Sequence, residues 1–136
     1  MHVLVPIDDS DPADAALEYA LTEFPEADVT ALHVIDPYET SVSSWFGGEE
    51  FPERLEEDTA ALLADARERA DERGVSIDTD TVVGKPAAEI AAYVEEADID
   101  EVVMGSHGRR GSSRVLLGSV AELVVRRAPA PVTVVR

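Results

Sequence analysis

Val102-Val103-Met104-Gly105-Ser106-His107-Gly108-Arg109-Arg110-Gly111-Ser112-Ser113-Arg114-Val115-Leu116-Leu117-Gly118-Ser119 is an apolar run that opens into a glycine-rich loop and closes on a helix start. Three apolar residues in succession suit a strand buried on both faces. Glycines let a backbone turn several N–H groups into one concavity and let a ligand come close. A helix N-terminus adds unpaired N–H groups and the positive end of a dipole. The segment is therefore built as an anion cradle, and Arg109, Arg110 and Arg114 stand inside it.

Outward from this loop the chain alternates strand and helix signals. Val3-Leu4-Val5-Pro6-Ile7 predicts a first strand, and Asp11-Pro12 a helix N-cap followed by proline at the first helical position. Ala15, Leu17, Ala20, Leu21 and Phe24 continue at helical spacing. Val29–Ile35 reads as a second strand, and residues 36–50 as a polar loop holding Trp45 and Phe46, loop anchors rather than base-stacking residues. A long helix is expected from Pro52 to Arg73 with Gly74 as its C-cap. Val75–Val83 alternates as a third strand, and Gly84-Lys85-Pro86 opens a helix through Ile90, Ala91 and Val94. Lys85 is no phosphate-loop lysine, because no GKS or GKT follows a glycine loop. After the cradle, Ser119 and Glu122 predict an S-x-x-E capping box for a helix ending before Pro129, and Pro131–Val135 a fifth strand. Such alternation predicts one α/β domain over residues 1–136, a five-stranded parallel sheet with helices on both faces, Rossmann-like. Ligands of such sheets sit beyond the carboxyl ends of the strands, where the strand order reverses. Pro6-Ile7-Asp8, His33-Val34-Ile35-Asp36 and Gly105–Gly108 all fall there.

Charge narrows the partners. Twenty-nine acidic residues stand against 11 basic ones, a net of −18, and Lys85 is the only lysine. A surface this acidic repels itself strongly until salt shortens the screening length, which suits a salt-adapted protein. At 45% hydrophobic residues the chain is no disordered acidic tail. Residues 101–136 hold only Glu101 and Glu122 against six arginines, so the basic end is where a small anion would dock. Nucleic acid is an unsuitable partner for the remaining surface. No apolar run reaches membrane-spanning length and no signal-peptide pattern opens the chain, so a cytoplasmic location is expected. Cysteine is absent, and His2, His33 and His107 have no metal-ligand spacing.

The glycine spacing Gly105-x2-Gly108-x9-Gly118-Ser119 resembles that of the ATP-binding branch of the universal stress protein family, over essentially the whole chain. The fold this implies is adenine nucleotide alpha-hydrolase-like. The resemblance implies an adenine nucleotide site, ATP with Mg²⁺, carried over position by position. Asp8, after Pro6 and Ile7, matches the acidic residue beside the adenosine, and Val34 the residue whose backbone meets the adenine edge. Met104, Gly105, His107 and Gly108 match the loop around ribose and phosphates, with Arg109 next in the cradle. Gly118, Ser119 and Val120 match the wall where N–H groups and a hydroxyl meet phosphate. Ile7 departs from the small or hydroxyl residue frequent there, so one polar contact is missing.

Three functions follow for testing. The first is a stress-response regulator that holds ATP and acts as a homodimer through the apolar last strand, Val132–Val135, toward an unidentified protein partner. The second is a slow ATP hydrolase. It lacks a glycine loop after the first strand and any nucleophile–base pair, and no catalytic residue is assigned. The third is a module that has lost nucleotide binding, or that reads AMP or a cyclic nucleotide instead. Ser119 is expected to meet phosphate as well as cap its helix, and His107 to contribute backbone rather than acid–base chemistry.

Overall fold

The computed structural model describes residues 1–37, 50–107 and 117–136, with only the main chain of 50–54. Gly108, Arg109, Arg110 and Arg114 of the cradle, and Trp45 and Phe46, lie outside the described residues. In chain order the elements are β1 (His2–Pro6), α1 (Asp11–Glu23), β2 (Asp28–Ile35), α2 (Glu50–Asp71), β3 (Asp78–Val83), α3 (Pro86–Glu96), β4 (Glu101–Gly105), α4 (Ser119–Arg127) and β5 (Val132–Val135).

All five strands run parallel in the order β3-β2-β1-β4-β5. From β1 the chain winds outward through β2 and β3, then crosses back to lay β4 and β5 on the other side. The order therefore reverses between β1 and β4. The strand expected to be buried on both faces is so: Val3, Leu4 and Val5 are fully buried, and successive side chains enter different layers. Val3 and Val5 meet Ala16, Leu17, Ala20 and Leu21 of α1 with Ala66 and Ala70 of α2. Leu4 meets Ala87, Ile90 and Val94 of α3 with Ala121 and Val124 of α4. Burying one such leucine contributes about 1.5–3 kcal/mol, so the paired layers hold the sheet.

Three boundaries differ from the sequence reading, each for a local reason. Ser10, not Asp11, is the N-cap of α1; its hydroxyl accepts the Ala13 N–H at 3.3 Å, which moves Pro12 inside the first turn. β3 begins at Asp78, because the chain up to Val75 is still held in the turn out of α2 and pairing with β2 starts only at Asp78. Val75 donates to the Ala70 carbonyl at 3.0 Å and Gly74 to Asp71 at 2.9 Å, with Gly74 at φ +71°. That is the glycine C-cap expected there. In α4 the cap is Gly118, whose carbonyl accepts from Glu122 N–H at 3.0 Å. Ser119 is thus the first helical residue, and the capping box with Glu122 is not formed. The Glu122 carboxylate accepts instead from Arg126 at 3.0 Å.

α1 and α2 are also tied by charge. Arg69 of α2 reaches Asp14 at 3.3 Å and Glu18 at 3.6 Å on α1, and Asp65 at 2.9 Å on its own helix; Arg73 joins Glu18. Burial raises the Asp14 carboxyl above its ordinary range, against the pull of Arg69. The hydrogen bond that Arg69 donates to the Asp65 carboxylate holds its guanidinium more firmly protonated than usual. Among the described residues no helix is long and apolar enough to cross a membrane.

Candidate functional site

At the carboxyl end of β1 the chain must leave the sheet and start α1. Ile7 makes the last contact, donating its N–H to the Leu32 carbonyl at 2.8 Å, while its carbonyl accepts Nδ1 of His33 at 3.0 Å. Its side chain is 8% exposed and packs in the α1–α2 layer, so a hydroxyl at this position would face hydrocarbon. What Ile7 presents at the strand end is main chain. Pro6 beside it is half-buried and registers with Leu32. Asp8 then folds back: its Oδ1 accepts the Ser10 N–H at 2.9 Å and, in a short contact, the Ser10 hydroxyl. The half-buried carboxylate is thereby fixed at the mouth of α1.

β4 ends beside it. Met104 is 5% exposed with its side chain in the α3–α4 layer. Gly105 sits against the first turn of α1. A Cβ there would stand 2.7 Å from the Pro12 carbonyl carbon, 2.8 Å from Pro12 Cβ and 2.9 Å from the Ala13 nitrogen. The first glycine of the motif is thus demanded by helix–strand approach, apart from any ligand.

Ser106 is the knot of the loop. It is 1% exposed, donates its N–H to the Val135 carbonyl of β5 at 2.7 Å, and accepts the Gly118 N–H at 2.6 Å. Its hydroxyl lies 2.9 Å from Nδ1 of half-buried His107. Residues 107–117 therefore leave and return at one closed neck. Beyond the neck α4 starts with Ser119 exposed and Val120 half-buried. The N–H groups of its first turn have no partner within the helix and carry the positive end of its dipole.

Of the residues singled out from the sequence, Pro6, Ile7, Asp8, Met104, Gly105, His107, Gly118, Ser119 and Val120 stand around the β1/β4 reversal, and Val34 stands one strand away at the end of β2. Gly108 and Arg109 lie outside the described residues. Three participants carried no assignment from sequence: Ser10, which fixes Asp8; Ser106, which ties the neck; and His33, which holds Ile7. His33 offered a signal, being a histidine inside the apolar run of β2, whereas the serines become visible only through their partners. A concavity lined by Met1, Phe24, Pro25, Glu26 and Ala27 lies at the opposite, amino-terminal end of the strands. One carboxylate and an apolar rim give it no converging polar groups. Among the described residues no group of three His, Asp or Glu side chains is placed to hold a metal ion.

The model of the universal stress protein family matches residues 1–136. Universal stress protein MJ0531 of Methanocaldococcus jannaschii is 38% identical over 141 residues, covering 98% of this chain and 81% of that protein. The solved structure of MJ0577 superposes with a TM-score of 0.84 at 32% identity, covering 98% of this chain and 94% of that one. A universal stress protein of Archaeoglobus fulgidus, solved in complex with dAMP, shares the fold at a TM-score of 0.74 and 22% identity, covering all of this chain and 98% of that one. With its five parallel strands reversing between β1 and β4, this chain belongs to the universal stress protein family.

Proposed function

We propose that this chain binds an adenine nucleotide, ATP with Mg²⁺, across the carboxyl ends of β1, β2 and β4, and that it serves as a cytoplasmic stress-response regulator acting as a homodimer. One observation carries the reading: Gly118 N–H closes on the Ser106 carbonyl at 2.6 Å, so the loop returns to the strand-order reversal just where α4 begins. The N–H groups of Ser119 and Val120 there suit phosphate oxygens. Because Gly118 supplies the cap, the Ser119 hydroxyl makes no capping bond and can turn to the same anion.

In this reading Val34 meets the adenine edge through its main chain, Asp8 lies beside the ribose, and Pro6 and Ile7 form the wall. Met104 and Gly105 form the floor, with His107, Gly108, Arg109, Gly118, Ser119 and Val120 around the phosphates. The arginines supply charge that the acidic remainder of the chain lacks. Mg²⁺ is carried on the phosphates. The fold of the A. fulgidus protein accommodates dAMP, which supports an adenine nucleotide here. The homodimer reading rests on β5, a half-buried apolar strand at the sheet edge, with Val125 of the adjoining α4 47% exposed.

Calorimetric titration of ATP, AMP and cyclic AMP into the protein in molar KCl with Mg²⁺ tests the reading. Saturable binding that prefers ATP is expected. Preference for AMP or the cyclic nucleotide would keep the pocket and change the signal. Absence of binding by all three would overturn the site.

A further inference from the structure

His33 has no part in the nucleotide reading, yet it occupies a decisive atom. Successive residues of a parallel strand direct their N–H and C=O groups alternately to the two neighbouring strands. Leu32 faces β1, since its carbonyl accepts from Ile7 at 2.8 Å; Ile35 faces β3, since its carbonyl accepts from Gly84 at 2.9 Å. Val34 therefore faces the β1 side. Continuing the ladder would send the Val34 N–H to the Ile7 carbonyl, the next acceptor along β1. That carbonyl is met instead by Nδ1 of His33 at 3.0 Å. Among the described residues the Ile7–Leu32 bond is the last main-chain bond between these two strands. An acceptor carbonyl requires the proton on Nδ1, so the contact also sets the ring's tautomer.

We infer that His33 is a positioning residue: by taking the Ile7 carbonyl it ends the β1–β2 ladder one rung early and keeps the Val34 N–H and C=O directed into the gap as a donor–acceptor pair for the base. This rests on the nucleotide reading above. The pair suits adenine, which presents a ring-nitrogen acceptor beside an amine donor. It opposes hypoxanthine, which presents a protonated ring nitrogen beside a carbonyl. A site built on directed hydrogen bonds rejects the mismatched edge strongly.

The test compares the unmodified chain with His33→Leu, which removes the donor, and His33→Asn, whose amide N–H takes the place of Nδ1–H. ATP, ITP and inorganic tripolyphosphate are titrated into each in molar KCl with Mg²⁺, and amide exchange at Val34 and Ile7 is measured without ligand. In His33→Leu the Ile7 carbonyl recruits the Val34 N–H. ATP affinity and the ATP/ITP ratio then fall about tenfold, the equivalent of one hydrogen bond. Tripolyphosphate binding stays unchanged, Val34 exchange slows at least about tenfold, and His33→Asn restores the unmodified behaviour. Equal Val34 exchange in all three proteins overturns the inference whether or not ATP binds. So does a parallel loss of ATP, ITP and tripolyphosphate, which marks a general structural defect. Failure of the unmodified chain to bind ATP, with the exchange difference intact, instead overturns the nucleotide reading alone.

Discussion

Replacing Gly105 by alanine separates what the motif does for the fold from what it does for a ligand. The added Cβ would stand 2.7 Å from the Pro12 carbonyl carbon and 2.9 Å from the Ala13 nitrogen. Both are backbone atoms in the first turn of α1, so no side chain can swing aside. Either α1 or the end of β4 must shift, and forced shifts of this kind cost about 1–3 kcal/mol. Taking about 2 kcal/mol, a chain of 136 residues has an unfolding entropy near 0.3 kcal/mol/K, which places the fall in Tm at about 7 °C. The assay is urea and thermal unfolding of the ligand-free protein in molar KCl, followed by far-UV circular dichroism. The urea slope should remain that of the unmodified protein, because the surface exposed on unfolding is nearly unchanged. A ligand-free Gly105→Ala protein that melts within a degree of the unmodified one would refute the close approach of Pro12 as the reason for this glycine.

Three further outcomes are expected. Gly118→Val should abolish ATP binding in calorimetry, because a side chain at this position would fill the approach proposed for the phosphates. It should leave the sedimentation behaviour unchanged, since β5 is not touched. Dilution from molar to millimolar KCl should reduce the circular dichroism signal of the fold, as the screening length grows from about 3 Å to tens of ångströms around a net charge of −18; an unchanged spectrum would refute the salt-adapted reading. Tyr93 donates to Asp80 at 2.9 Å, and burial together with that bond pushes its phenol up to about 12. The native state thus keeps a proton that the unfolded chain loses near 10. Its contribution is fully present below pH 10 and is lost as the pH rises toward 12, and Tyr93→Phe should remove that part of the alkaline loss in pH-dependent unfolding.

The fold was legible wherever an element is decided by its own residues. Val3-Leu4-Val5 could only be a doubly buried strand, and Gly74 ends α2 through its positive φ. The differences arise where a distant partner decides. Ser119 looks like a cap by its neighbours, but Gly118 takes that place because Ser106, twelve positions earlier, holds its N–H. Val75 and Ile77 alternate like strand residues, yet Val75 closes the turn on the Ala70 carbonyl and pairing with β2 starts only at Asp78. Most of the candidate site comes from the family resemblance that the glycine spacing carries, position by position. The functions of its glycines were not equally legible, since nothing near Gly105 in the chain announces Pro12. Likewise the inward turn of Ile7 is set by the α1–α2 layer, and the partner of His33 lies 26 residues away.

The tie between Ser106 and Gly118 bears on how the loop can change over time. Its ends are fixed by hydrogen bonds to each other and to the Val135 carbonyl, so residues 107–117 form a ring already closed by folding. For such a ring an added or deleted residue alters closure entropy only logarithmically, by a few tenths of a kcal/mol. Length and composition inside the ring are consequently decoupled from the stability of the sheet, whereas the two residues of the neck are not. Changes within the loop can therefore accumulate without renegotiating the fold that carries it.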